Sequence, residues 1–148
     1  MKYLLFLSAA LIGFAGCQSA PTANTDSGVP NSSADIKEVS PSEAQMAVSK
    51  PYSQFIDVRS PEEYAGGYAE RAENIPLDTL AANFDRLKKD DPVYVICQTG
   101  SRSKKAAEML SEAGFKTIYN VSGGTAAWQS ARLPMSSKPP HNVPAKKL

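Results

Sequence analysis

The sequence predicts an α/β domain with a mostly parallel central sheet flanked by helices. Three observations lead there. Short apolar, β-branched runs alternate with helical patterns along the middle of the chain. Two of those helical patterns open on the same start signal, Ser-Pro-x-Glu, in which Ser caps, Pro takes the first helical position and Glu completes a capping box. The most apolar run, Val93 to Ile96, feeds directly into a short polar loop and another helix.

In chain order, Ile36 to Val39 is a strand candidate, and Ser40-Pro41-Ser42-Glu43 opens a helix. Phe55 to Val58 is a second strand, and Ser60-Pro61-Glu62-Glu63 starts a second helix. Asn74-Ile75-Pro76 is a brief extended piece. Leu80, Phe84 and Leu87 lie at i, i+4 and i+7, the stripe of an amphipathic helix. Val93 to Ile96 is the third clear strand, with Cys97 to Arg102 expected as loop and Ser103 to Ala113 as helix, ended by Gly114. Thr117 to Val121 is a strand, Gly123-Gly124 a turn, and Thr125 to Ser130 a closing helix.

The remainder divides into accessory segments. The chain has 148 residues, which suits one domain plus flanking segments. Met1-Lys2 is followed by Tyr3 to Ala15, a run of 13 residues that is apolar except at Ser8 and Gly13. Such a run is too short to span a bilayer and suits a signal-peptide core. It ends Phe14-Ala15-Gly16-Cys17, which resembles a bacterial lipobox. That resemblance implies a signal peptide over 1–16, lipidation of Cys17, and export to a membrane-anchored site. In a Gram-negative cell, Gln18 after Cys17 points to the outer membrane facing the periplasm. An ordinary secretory signal cleaved near Ala15 or Ala20 is the alternative. Residues 17–35 then read as the lipidated Cys and a flexible Ser/Thr/Asn/Ala/Pro tether. The folded unit covers 36–135, and 136–148 reads as a disordered basic tail.

Composition narrows the chemistry. With 16 Lys+Arg against 15 Asp+Glu there is no basic excess for nucleic acid. The single histidine, His141, lies in the tail, so no Cys–His or Ser–His–Asp unit is expected in the domain. No metal site and no cofactor are implied. Of the two cysteines, Cys17 belongs to the leader and Cys97 stands alone at the carboxyl end of a strand, where α/β sheets bind ligands.

The segment Cys97-Gln98-Thr99-Gly100-Ser101-Arg102-Ser103 joins that strand to a helix. A loop of this kind turns several backbone N–H groups into one concavity at a helix N-terminus, which favours an anion and lowers the pKa of a thiol. Gly100 lets the backbone curl. The helix opens among Arg102, Lys104 and Lys105, at the dipole end that disfavours cations; a loop that holds an anion would explain this. Lys104 and Lys105 also suit a plain solvated face. A buried structural thiol is the bland alternative for Cys97.

Together these residues resemble the rhodanese-like domain family. Asp57-Val58-Arg59-Ser60-Pro61-Glu62-Glu63-Tyr64 is similar to its first hallmark and Asn74-Ile75-Pro76-Leu77 to the segment after it. The Cys97 to Ser103 loop resembles the active-site loop, and Gly114-Phe115 with Val121 to Trp128 resembles the closing signature. The resemblance implies a five-stranded α/β domain that moves a sulfane sulfur from a small anionic donor, such as thiosulfate, to a thiol or cyanide. It implies Cys97 as nucleophile and persulfide carrier. The N–H groups of Gln98, Thr99, Gly100, Ser101, Arg102 and Ser103 would form the anion cradle, with Arg102 also binding the donor. Asp57 and Arg59 would be a supporting charge pair and Trp128 a packing residue. A membrane partner is implied only through Cys17; no protein partner is identified.

Loops of related phosphatases and arsenate reductases are one residue longer, so the shorter loop here favours sulfur transfer. The segment Tyr68 to Glu73 departs from the family's His-Ile-Pro-Gly-Ala pattern and reads as more charged and less apolar. A non-turnover sulfur-carrier, thiol-redox or interaction module on the same fold is the competing reading.

Overall fold

The computed structural model describes residues 35–137. The leader, Cys17 and most of the tail lie outside the described residues.

Five parallel strands form the central sheet. They are β1 (Asp35–Val39), β2 (Gln54–Asp57), β4 (Glu73–Asn74), β5 (Val93–Ile96) and β6 (Thr117–Val121), in the order β1-β6-β5-β2-β4. β5 is central and all four of its residues are buried. Successive side chains of a strand point to opposite faces, and the two faces bury different sets. Ile56, Val93, Val95 and Ile118 pack against α3 (Ser101–Glu112) and a 3-10 helix (Leu80–Arg86). Phe55, Tyr94, Ile96 and Val121 pack against α1 (Pro41–Val48) and α4 (Gly124–Ser130). The fold is therefore an α/β sandwich of three layers, as the alternation of signals predicts.

Both capping boxes form. Ser40 and Glu43 cap α1, and Ser60 and Glu63 cap α2 (Pro61–Ala65). Three details differ from the sequence expectation. The Leu80–Leu87 stripe buries Leu80 and Leu87, but its backbone is 3-10 rather than α. The Asn83 side-chain amide donates to the Thr79 carbonyl at 2.8 Å, the acceptor that an α-turn would offer to the Asn83 backbone N–H. Thr79 also makes no side-chain cap. Helix α3 begins at Ser101 instead of Ser103, because Gly100, at φ +102°, takes the N-cap position. Ser101 and Arg102 thus belong to the first helical turn, not to the loop.

The third difference is a small antiparallel ladder. β3 (Tyr68–Ala69) pairs with β7 (Met135–Ser136), so Ser136 extends the folded unit by one residue into the expected tail. This ladder lies in the segment that departs from the family pattern. Tyr68, Ala69 and Ala72 are buried, Tyr68 stacks on Tyr64 at 4.0 Å, and the Tyr64 hydroxyl donates to the Ala72 carbonyl. The charged residues turn outward, and Glu73 pairs with Arg86. That segment is therefore more apolar in effect than its composition suggests.

Gly124 sits where α4 meets the loop after β5. Its φ is +58°, and a Cβ there would lie 2.1 Å from the Cys97 carbonyl oxygen and 2.7 Å from the Gln98 carbonyl carbon. Both obstacles are backbone and cannot swing away. Gly124→Ala is therefore expected to cost about 3 kcal/mol, combining left-handed backbone strain with overpacking. Urea denaturation checks this, and a loss below about 1 kcal/mol would contradict the tight approach.

Candidate functional site

β5 ends at Ile96 and delivers Cys97 to the carboxyl edge of the sheet. The chain then turns through Gln98 and Thr99, both exposed, to Gly100 and into α3. Cys97 itself is 1% exposed and is a free thiol.

The turn wraps its polar groups around sulfur. The Gly100 N–H donates to Cys97 Sγ at 3.1 Å, and the Ser103 hydroxyl lies 3.4 Å from the same atom and 3.0 Å from the Gly100 carbonyl. Burial pushes the thiol pKa up. The Ser103 hydroxyl and the backbone N–H groups of Ser103, Thr99 and Gly100 outweigh it, and the net position is below that of an ordinary thiol.

The loop is held from behind by the N-terminus of α4. The Thr125 N–H donates to the Cys97 carbonyl at 2.7 Å and the Ala126 N–H to the Gln98 carbonyl at 3.1 Å. The Gln98 side chain is held as well: its Oε1 accepts from the Thr125 hydroxyl at 3.0 Å and from Arg59 Nη1 at 3.4 Å. Gln98 thus lends structure through its side chain, besides any N–H it offers.

Beneath lies a buried ion pair. Asp57 is fully buried and Arg59 is 4% exposed. Arg59 Nη2 contacts Asp57 Oδ2 at 2.6 Å, and Arg59 Nε reaches both carboxylate oxygens, at 2.9 and 3.0 Å. Arg59 Nη2 also donates to the Gly67 carbonyl at 2.9 Å, while its backbone N–H donates to Asp57 Oδ1. Its lone pairs and donors are occupied in this way, which offsets part of the cost of burying the pair. It links β2, the loop before β3 and the Cys97 turn.

Arg102 stands at the mouth, on the first turn of α3. Its two terminal nitrogens clasp Glu63 of α2 at 2.6 and 2.7 Å. The hydrogen bonds from Arg102 hold the Glu63 carboxyl at about 2, despite some desolvation. Beside Arg102 opens a cleft of about 550 Å³, walled by Val58, Ser60, Pro61, Pro76, Leu77 and Thr79 among others. Lys104 and Lys105 are exposed on the helix surface, and Trp128 is fully buried against Phe55, its indole N–H donating to the Pro134 carbonyl.

The structure therefore gathers Cys97, Gln98, Thr99, Gly100, Ser101, Arg102 and Ser103 at one end of the sheet, with Asp57 and Arg59 below. Three contributors were not singled out from sequence. Gly124 and Thr125 carry a weak signal in the Gly-Gly-Thr run. Glu63 was visible as a capping residue and within the first hallmark, with no role given to it in the site.

One outcome tests the electrostatics. Thiolate formation at Cys97, followed by ultraviolet absorbance against pH, is expected to have its midpoint below that of an ordinary thiol. Ser103→Ala removes a hydrogen bond to the charged form, so the midpoint should move upward. An unchanged midpoint would mean that the hydroxyl serves only the Gly100 carbonyl.

The comparisons with known proteins agree with this geometry. The rhodanese-like domain family matches residues 40–131. The uncharacterized protein YqhL of Bacillus subtilis (strain 168) is 43% identical over 76 residues, which are 51% of this chain and 60% of that protein. The chain thus spans less than two thirds of that relative. A rhodanese-related protein from Thermoplasma volcanium superposes with a TM-score of 0.63 at 28% identity, covering 69% of this chain and 99% of that one. A rhodanese-like domain protein from Staphylococcus aureus gives 0.58 at 38% identity, covering 62% and 90%. From its sequence and its three-layered fold alike, the chain belongs to the rhodanese-like domain family.

Proposed function

We propose that the protein is a sulfurtransferase that moves a sulfane sulfur from thiosulfate or a persulfide donor to a thiol or cyanide through a Cys97 persulfide. The observation that carries this reading is the buried Cys97 sulfur among donors of the turn, with the Gly100 N–H 3.1 Å away. A thiolate held there attacks the outer sulfur of thiosulfate. A new S–S bond forms, and sulfite leaves with the electron pair of the broken bond. The product, Cys97–S–S⁻, carries its charge one atom further out, about 2 Å from Sγ. That distance matters for a thiol buried this deeply, since the transferable sulfur reaches beyond the position of the thiol itself. Backbone N–H groups of the turn stabilise the anion, as oxyanion-type donors do elsewhere. An acceptor thiolate then takes the outer sulfur, and Cys97 departs as a thiolate.

Asp57 and Arg59 support the loop in this reading, and Arg102 meets the anionic donor. The reaction places no demand on histidine, in keeping with a domain that contains none. Cys17 is proposed as a lipidated residue that anchors the domain at the cell envelope, with residues 18–35 as its tether.

For the chemistry, the reduced protein is incubated with thiosulfate and its intact mass is taken beside Cys97→Ser. The native protein should gain one sulfur, lost again on adding cyanide, and the variant none. If the native protein gains none from thiosulfate or from a persulfide, the non-turnover module becomes the better reading. For the anchor, the full chain in bacteria should incorporate labelled palmitate and sediment with membranes. Cys17→Ser should do neither; label retained in that variant would refute lipidation at Cys17.

A further inference from the structure

We propose that Glu63 sets the donor preference of this site: by clasping Arg102 it withholds positive charge from the loop mouth, favouring singly charged sulfur donors over the thiosulfate dianion. The inference rests on the sulfur-transfer reading above and concerns which donor that site prefers.

Arg102, on the first turn of α3, is the guanidinium that the sulfur-transfer reading assigns to the anionic donor. Both of its terminal nitrogens are engaged by the two carboxylate oxygens of Glu63, at 2.6 and 2.7 Å. The clasp crosses from α3 to α2, between residues 39 positions apart. Bidentate geometry of this kind fixes the guanidinium plane as well as its position. Glu63 is itself fixed, because its Oε2 also accepts from the Ser60 N–H at 3.2 Å in the capping box of α2. Ionised throughout the neutral range, it cancels the Arg102 charge at every working pH.

The surroundings add acid. The cleft beside Arg102 includes Glu62 and Asp78 in its lining, both exposed at the rim, and Arg102 is the one cation among its lining residues. Lys104 and Lys105 lie one step further along α3, in solvent. A dianion approaching Arg102 is opposed by these carboxylates about twice as strongly as a monoanion, since Coulomb energy scales with charge. The pair is a little over a third exposed, so solvent limits the effect to a several-fold preference.

Glu63→Gln isolates the idea. Gln still accepts the Ser60 N–H and preserves the capping box, but carries no charge. Two donors are compared: thiosulfate, a dianion, and methanethiosulfonate, a monoanion with the same outer sulfur. With either, the Cys97 thiolate takes the outer sulfur; sulfite or methanesulfinate leaves with the electron pair, and no redox partner is needed. Binding is read first in a Cys97→Ser background, by calorimetry, so that no sulfur moves. Glu63→Gln should tighten thiosulfate about five-fold and methanethiosulfonate about two-fold. With Cys97 restored, the thiosulfate KM should fall by a similar factor while kcat stays within about two-fold. Adding Arg102→Gln should abolish the effect of Glu63→Gln, since the two act through one contact.

Equal changes for both donors, no change, weaker binding, or an effect that survives Arg102→Gln would each overturn the proposal. Failure of sulfur transfer itself would read differently: no mass gain on Cys97, while the calorimetric comparison still reports on Glu63.

Discussion

The site depends on two hydrogen bonds that point away from it. The Thr125 and Ala126 N–H groups hold the Cys97 and Gln98 carbonyls against the start of α4. A peptide whose carbonyl is drawn backward presents its N–H forward. In the Gln98–Thr99 peptide this turns the Thr99 N–H toward the sulfur while α4 donates to the carbonyl. Gly124 permits the contact, since any side chain there would meet the Cys97 carbonyl. The groups that lower the thiol's pKa lie in the turn and the start of α3, and α4 backs that turn from behind.

The buried Asp57–Arg59 pair serves the same end from below. A buried ion pair is weak evidence for stability, because desolvation offsets much of its attraction. Its value here lies in direction. Arg59 joins the carboxylate of β2 to the Gly67 carbonyl and the Gln98 side chain, so three segments distant in sequence share one orientation. Moving any of them would leave a charge or a donor unpaired out of water.

Much of this was legible in the sequence wherever the signal is local. The capping boxes at Ser40 and Ser60, the apolar run of β5 and the Gly100 turn each rest on residues within a few positions of one another, and each forms. Cys97 at a strand end, with a polar Gly-Ser-Arg sequence after it, announced a turn that brings polar groups to the sulfur. What could not be read arises from contacts across the fold. Glu63 announces itself as a cap, yet its second partner is 39 residues away. The β3–β7 ladder has two residues per strand, too few for a periodic pattern. The helical stripe at Leu80 correctly named the buried residues Leu80 and Leu87 but not the backbone type, because the competing Asn83 amide is a side-chain choice.

The order of these parts along the chain has a temporal consequence. A ribosome releases Cys97 well before residues 124 to 126, and β7 comes later still. Until α4 exists, its N–H groups cannot hold the Cys97 and Gln98 carbonyls, and the turn lacks its backing. The surroundings of the Cys97 sulfur are thus finished only when the domain is nearly complete.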